Sequence, residues 1–293
     1  MDVTDRRALK AFFTARGLAP QKRFGQHFLT DPGVVARIVA LVGAGPGVRC
    51  LEIGPGPGAL TGGLLGAGAS VLAIEIDRGF AQALRERWAG RPLVVLEADA
   101  LRISWHQAVS DTLGPGPLKI VGNLPYYIAG ALVARLWEEP ALPWEQAVLM
   151  VQREAARRLL ARPGESGCGA PSVLLHAVAE VRRAFDVAPR AFYPVPTVTS
   201  TVVEVRRTAR ELPPGLAAVV RAGFAHRRKT LRQALAGLGP GAAWWDETLR
   251  GAGVDPDRRA ETLRAEEWRR VAAAWAEKGR DEACGSKAPR KAD

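Results

Sequence analysis

Four short stretches of the 293-residue chain carry residue types and spacings suited to chemistry. The first is Glu52-Ile53-Gly54-Pro55-Gly56-Pro57-Gly58-Ala59-Leu60-Thr61, a glycine-rich turn between a β-prone apolar run and an Ala/Leu-rich stretch. Glycines admit positive φ and let the backbone approach a ligand closely. The second is Glu75, 21 residues after Gly54, in the apolar run Val71–Ile76. A carboxylate there can accept both ribose hydroxyls of an adenosine. The third is Asp99, within Ala98-Asp99-Ala100, placed to accept from an adenine amino group. The fourth is Asn123-Leu124-Pro125-Tyr126, directly after the run Leu118–Gly122.

A nicotinamide dinucleotide and S-adenosylmethionine share the turn-plus-carboxylate pattern, so a dehydrogenase and a methyltransferase both fit it. Proline at 55 and 57 removes amide donors that a pyrophosphate would want, whereas S-adenosylmethionine has no phosphate to lose them. The expected cofactor is therefore S-adenosylmethionine. Asn123 and the neighbouring backbone carbonyl, in a turn stiffened by Pro125, present two acceptors side by side. The exocyclic amine of adenine has two hydrogens and a lone pair conjugated into the ring. Gripping both hydrogens favours a more tetrahedral nitrogen with its lone pair aimed at a methyl group, which is preorganised electrostatics rather than general-base chemistry. Tyr126 can stack on the base. Phe192, in the rigid Ala191-Phe192-Tyr193-Pro194-Val195-Pro196 segment, is expected to cover its other face.

These residues need a scaffold that brings strand ends together. Val48–Ile53, Val71–Ile76, Leu93–Leu96, Leu118–Gly122 and Ala147–Val151 read as strands, and Phe80–Trp88 as a helix. Alternation of strands and helices predicts an α/β, doubly wound, parallel sheet, with Thr199–Val205 as its last strand. Beyond Arg207 the periodicity is helical over 216–238, 242–251, 255–263 and 266–278. The predicted division is a basic N-terminal arm (1–30), a Rossmann-like domain (31–207), a small all-helical domain (208–278) and a disordered tail (279–293).

Hydrophobic residues make up 47% and charged residues 24%, as in ordinary globular domains. No apolar run approaches the roughly 18 residues a membrane span needs. Three scattered cysteines and four scattered histidines argue against a disulfide framework or a metal site and fit a reducing cytoplasm. The net charge of +11 is uneven. Residues 1–30 hold six basic and two acidic residues, and 208–293 hold 17 and 12, while the middle is nearly neutral. A neutral catalytic core with basic flanks suits a polyanionic partner. Arg227, Arg228, Lys229 and Arg232 are expected to form a basic ridge on one helix, anchored by Phe224, Leu231 and Leu235.

Together these motifs resemble the KsgA/RsmA family of ribosomal RNA adenine dimethyltransferases. Arg23-Phe24-Gly25-Gln26-His27-Phe28-Leu29 looks like that family's N-terminal signature, and Phe224–Arg232 like its basic C-terminal motif. The resemblance runs from about Arg23 to Lys278. It implies four methyl transfers from S-adenosylmethionine to N6 of two adjacent adenosines in the 3′-terminal hairpin loop of 16S rRNA, late in 30S assembly, by a monomeric protein. It also implies that His27 and Leu29 close over the cofactor, that Gly54, Glu75 and Asp99 bind it, and that Asn123 sits between cofactor and base. The alternatives are a non-catalytic RNA-binding assembly factor on the same fold, or an Erm-type 23S rRNA methyltransferase. Leu124, where Erm enzymes usually carry Ile, and the Arg-Arg-Lys run favour the first reading. Three departures stand out: His27 where Asn is common, Cys168–Pro171 in place of a Tyr-Gly-Arg-Leu type stretch, and Arg264 where a helix-capping Ser is common.

Overall fold

The computed structural model describes residues 3–20, 26–125, 127–226 and 228–285. These fall into two compact units. One comprises the chain up to residue 157 and residues 179–208, and the other residues 158–178 and those from 209 onward.

The first unit is built on a seven-stranded sheet. Its strands are β2 (Arg49–Ile53), β3 (Ser70–Glu75), β4 (Leu93–Glu97), β5 (Leu118–Asn123), β6 (Trp144–Gln152), β7 (Ala179–Val187) and β9 (Ser200–Arg207). The order is β4-β3-β2-β5-β6-β9-β7. The first five are parallel, and β9 pairs antiparallel with both β6 and β7. The sheet is thus mixed rather than wholly parallel, and the Thr199–Val205 run forms its penultimate strand rather than its edge. The edge strand β7 has no continuous apolar run, because Arg182, Arg183 and Asp186 interrupt it.

The central strands are buried on both faces, which explains their unbroken apolar character. Cys50, Val71, Ala73 and Val121 pack with residues of α2 (Pro32–Val42) and α3 (Ala59–Gly66). By strand alternation, Leu51, Leu72 and Ile120 face the other side, where α5 (Trp105–Leu113) packs on β3. Local signals set the helix ends. Asp31 accepts from the Val34 amide with Pro32 at the first position of α2, and Asp77 accepts from Gly79 and Phe80 at the start of α4 (Arg78–Arg87). The chain passes from β2 outward to β4, then returns to the far side of β2 as β5. That reversal between β2 and β5 opens a crevice at the carboxyl ends of the strands, where ligands of such sheets bind.

The N-terminal region differs from the expected basic arm. Residues Arg6–Arg16 form helix α1, capped by Asp5 and ended by Gly17. Its Phe12 and Phe13 are buried in a cluster with Phe28 and Phe80. Arg6, although exposed, donates to the carbonyls of Arg190 and Phe192 and to Thr30 Oγ1. Beyond α1, β1 (Phe28–Leu29) pairs antiparallel with β8 (Phe192–Tyr193). Lys22 and Arg23 lie outside the described residues.

The second unit is helical. It contains α8 (Ala170–Val178), α9 (Leu216–Ala225), α10 (Leu231–Leu235), α11 (Ala242–Gly251) and α12 (Ala265–Gly285), and its boundary with the first falls within α7 (Arg153–Leu160). Residues 158–178 belong to it because α8 packs on α9 and α12, so the second unit is not one continuous segment starting at 208. Helix α12 continues through residue 285, past the expected end at Lys278; residues 286–293 lie outside the described residues. Asp255–Leu263 is not an α-helix. It is a turn ending in a single 3-10 turn at Ala260–Thr262, and its Pro256 and Arg258 carbonyls accept from Arg232 and Leu231 at the start of α10. Arg264 does stand where a capping side chain is wanted, and Glu267 reaches back to its amide at 2.7 Å, preserving half of a capping box.

Candidate active site

A cavity of about 310 Å³ opens at the carboxyl ends of β2, β3, β4 and β5, within the size range of cofactor pockets. Gly54, Glu75, Asp99, Asn123, Leu124, Pro125 and His27 all line it, so the structure gathers seven residues singled out from sequence. Tyr126 lies outside the described residues.

The glycine turn is organised by Glu75. Gly54 and Gly56 have φ of +65° and +55°, and a Cβ at Gly56 would come within 2.9 Å of the Phe28 ring; only glycine suits both demands. The Gly56 amide donates to Glu75 Oε2 and the Asp77 amide to Oε1, each at 2.9 Å. The Gly54 amide donates to Ile74 O and the Gly58 amide to Pro55 O. Positions 55 and 57 are proline. From 54 to 58, therefore, every backbone donor is used within the protein, and the turn has none to offer a pyrophosphate. This disfavours a dinucleotide more strongly than the prolines alone.

Burial pushes the Glu75 carboxyl up to about 7, against the opposing pull of the Asp77 and Gly56 amides. Glu52, under the turn and fully buried, is likewise raised to about 7 by burial, although Thr61 Oγ1 donates to it at 2.7 Å. Raised carboxylates bind their proton more tightly folded than unfolded. Their contribution to stability is complete below about pH 4.5 and is lost as pH rises through about 7. The unliganded protein should therefore melt at a lower temperature at pH 8 than at pH 5.5, apart from other titrations. Replacing Glu52 with Gln should reduce that slope in a pH series of thermal melts.

Asp99 accepts from the Leu101 amide at 2.9 Å and pairs with exposed Arg102 at 3.3 Å. Its carboxylate is thus held at the cavity edge with part of its acceptor capacity committed. Asn123 ends β5, and its Nδ2 donates to the His27 carbonyl at 2.8 Å. Because a carbonyl only accepts, this contact fixes the amide orientation and leaves Oδ1 as the acceptor for a ligand. The His27 ring is itself held, with Nδ1 2.7 Å from the Pro194 carbonyl. Its side chain thus fastens the segment at 26–27 to the Pro-rich segment at 194.

Two expected site residues stand elsewhere. Phe192 is fully buried in the core with Ala191, Leu29 and Val202, and it does not line the cavity. Pairing of β1 with β8 turns its ring into the core. Replacing it with Ala would open a core cavity costing about 3–5 kcal/mol, so reduced activity in that variant would report folding. Leu29 is also a core residue; it borders only a small adjacent void shared with Glu52 and Asn123.

Conversely, sequence reasoning missed Ile76 and Tyr127, which line the cavity with 49% and 58% of their surfaces exposed. Both offer apolar surface at the cavity that a flat ligand can cover. The doubled tyrosine at 126–127 was the available signal. Phe28, Ile53, Ile74, Leu101, Ile128 and Leu132 supply the remaining apolar wall.

In the second unit the basic cluster is not one helical ridge. Helix α9 ends at Ala225 and α10 begins at Leu231, so Arg228 and Lys229 sit in the connecting turn, exposed. Arg232 is on α10, bound to Asp246 at 3.2 Å and Asp257 at 2.8 Å, where it ties neighbouring segments together. Arg227 lies outside the described residues. The expected anchors hold: Leu231 and Leu235 are buried, and Phe224 stacks on Trp268 with centroids 5.9 Å apart.

The sheet order, the reversal at β2/β5 and the amide-poor glycine turn beside a buried carboxylate define a Rossmann-like methyltransferase fold. A dimethyladenosine transferase structure from Plasmodium falciparum superimposes with a TM-score of 0.71 over 86% of this chain and 98% of its own, at 24% identity. The structure of 23S rRNA methyltransferase ErmE matches with a TM-score of 0.61 over 85% of this chain and 99% of its own, at 30% identity. The family model described as "Ribosomal RNA adenine dimethylase" matches residues 18–277, and the chain belongs to that family. Among curated relatives, the ribosomal RNA small subunit methyltransferase A of Magnetococcus marinus is 45% identical over 261 residues, covering 87% of this chain and 91% of the relative.

Proposed function

We propose that this protein transfers methyl groups from S-adenosylmethionine to N6 of two adjacent adenosines in the 3′-terminal hairpin loop of 16S rRNA, during late assembly of the 30S subunit. The observation that carries the reading is Asn123. Its Oδ1 is left as an acceptor by the Nδ2 contact to His27, at the end of β5 in the same cavity as Glu75 and Asp99. Bound S-adenosylmethionine supplies an electrophilic methyl on a sulfonium. Glu75 would accept from the ribose and Asp99 from the adenine amine of the cofactor, with Ile76 packed on its ring. Asn123 Oδ1 and the Leu124 carbonyl would accept the two amine hydrogens of the target adenine, releasing its lone pair from the ring. Tyr127, exposed at the mouth, is the described aromatic available to that base, in the role expected of Phe192.

The small-subunit target is supported by the curated relatives at 41–45% identity, which are named small-subunit methyltransferases, against 30% for the 23S enzyme structure. A non-catalytic assembly factor would have no need of an intact, oriented Asn123. The deciding test is transfer of tritium from labelled S-adenosylmethionine to small subunits lacking the modification, with large subunits and mature small subunits as controls.

RNA affinity is assigned in part to the turn carrying Arg228 and Lys229. Phosphate contacts add affinity without reading sequence. Replacing both with Ala should weaken binding to unmodified 30S subunits and flatten its salt dependence by about 0.7–0.9 log unit for each phosphate no longer neutralised. Cofactor affinity should be unaffected. A binding series at several salt concentrations that returns the wild-type slope would remove this turn from the interface.

A further inference from the structure

A second concave site lies in the first unit, with a lining separate from that of the cofactor cavity. It is a groove of about 360 Å³ lined by Gln152, Arg153, Glu154, Arg157, Thr197, Val198 and Thr199. One wall is the start of α7; the other is the segment leading into β9. The Arg153 amide donates to the Thr199 carbonyl at 3.0 Å and closes the floor. Arg153 and Arg157 are both exposed and stand one helical turn apart, so their Cβ atoms are about 5–6 Å from each other and share a face. Glu154 contributes the opposing charge on the helix. On the neighbouring strand, Asp186 is already engaged by Arg183 at 2.6 Å and by Thr201 Oγ1 at 2.7 Å. Within the groove lining two guanidinium groups stand against one carboxylate, Glu154, beside two threonines and a glutamine; Asp186, outside the lining, also feels the Arg153 charge.

The groove is also close to the reaction centre. Asn123 pairs with Met150 across β5 and β6, and the Leu124 amide donates to the Met150 carbonyl at 3.0 Å. Gln152 is two residues further along β6, which places its Cα roughly 8 Å from that of Asn123. A nucleotide whose base entered the cavity beside Asn123 would carry its backbone across this part of the surface. Paired guanidinium groups with nearby hydroxyls suit a phosphodiester, which has two anionic acceptor oxygens and no donors.

We infer that the groove between α7 and residues 197–199 is a subsite for an RNA backbone phosphate flanking the target adenosine, held by Arg153 and Arg157. The inference rests on the RNA methyltransferase reading above. It adds a positioning contact within the catalytic unit and fixes where the strand runs as it leaves the site.

The test uses the full-length protein with Arg153→Ala/Arg157→Ala, the single Arg157→Ala and the charge-preserving Arg153→Lys/Arg157→Lys. Methylation of unmodified 30S subunits is followed at several salt concentrations, and S-adenosylmethionine affinity by calorimetry. The double Ala variant should raise KM for subunits about tenfold or more and lower the salt slope by about 0.7–0.9 for each phosphate that the arginines neutralise in the wild type. Its cofactor affinity should equal wild type, and the Lys pair should recover most of the loss. A wild-type KM and slope overturn the inference. So does a weaker KM with an unchanged slope, which would mark a contact with protein rather than phosphate. If the double variant loses cofactor affinity through misfolding, Arg157→Ala decides, because that side chain is exposed. Failure of the wild-type protein to methylate any subunit would instead sink the RNA methyltransferase reading itself.

Discussion

Asn123→Ala is expected to reduce methyl transfer to rRNA by about 10²–10³-fold or more, the scale seen when one preorganised polar group is removed from a reacting centre. Cofactor affinity should stay within a few fold of wild type, because Glu75 and Asp99 remain. Asn123 faces two ways: Nδ2 donates to the His27 carbonyl, and Oδ1 is left for the ligand. Asn123→Asp keeps the acceptor but loses the donor and sets a carboxylate against that carbonyl, so it should not rescue activity. Single-turnover methylation alongside calorimetry of cofactor binding separates the two effects. An Ala variant that turns over within a few fold of wild type would show that the two-acceptor mechanism is wrong.

The second large effect is expected at Glu75. Glu75→Ala should weaken S-adenosylmethionine binding by about tenfold to a hundredfold, about 1.5–3 kcal/mol for removal of a hydrogen bond to a charged group. Part of that effect would come from the protein itself, since the Gly56 and Asp77 amides would be left without their buried acceptor. Glu75→Gln distinguishes the contributions. It fills the same volume but replaces one acceptor oxygen with a donor, which must then confront an amide or a ribose hydroxyl. It should therefore bind the cofactor more weakly while melting closer to wild type than the Ala variant does. Unchanged calorimetric affinity in both variants would remove Glu75 from the ribose site.

The strand ends were legible because the central strands are buried on both faces. Their apolar runs stop at the cavity, at Gly54, Glu75, Asp99 and Asn123. The edge strand β7 was not legible, since its adjacent exposed Arg182 and Arg183 sit at a register irregularity that breaks the alternation. Helix α1 was hidden by its charge. Arg6 counts as a basic residue in the sequence, yet the fold commits its guanidinium to backbone carbonyls, a long-range contact that composition cannot register.

Phe192 shows the limit of motif context. Its prolines predict a rigid segment, but the pairing of Phe28–Leu29 with Phe192–Tyr193 decides which face is buried, and that pairing joins segments far apart in sequence. The basic cluster shows another limit. Helical spacing suggested a shared face for 228 and 232, whereas the Pro256 and Arg258 carbonyls start a new helix at 231 and two aspartates claim Arg232.

The proposed reaction is dimethylation of two neighbouring adenosines in small-subunit rRNA. Its most direct measurement is nucleoside mass spectrometry of 16S rRNA from unmodified small subunits, sampled over time with the protein and isotopically labelled S-adenosylmethionine. N6-monomethyladenosine should rise first and then fall, because the monomethylated amine offers one N–H to two acceptors and the second transfer is harder. N6,N6-dimethyladenosine should replace it, reaching two residues and four labelled methyl groups per subunit at adjacent positions of the 3′-terminal loop. Absence of label from 16S rRNA, or label confined to large-subunit rRNA, would contradict the account.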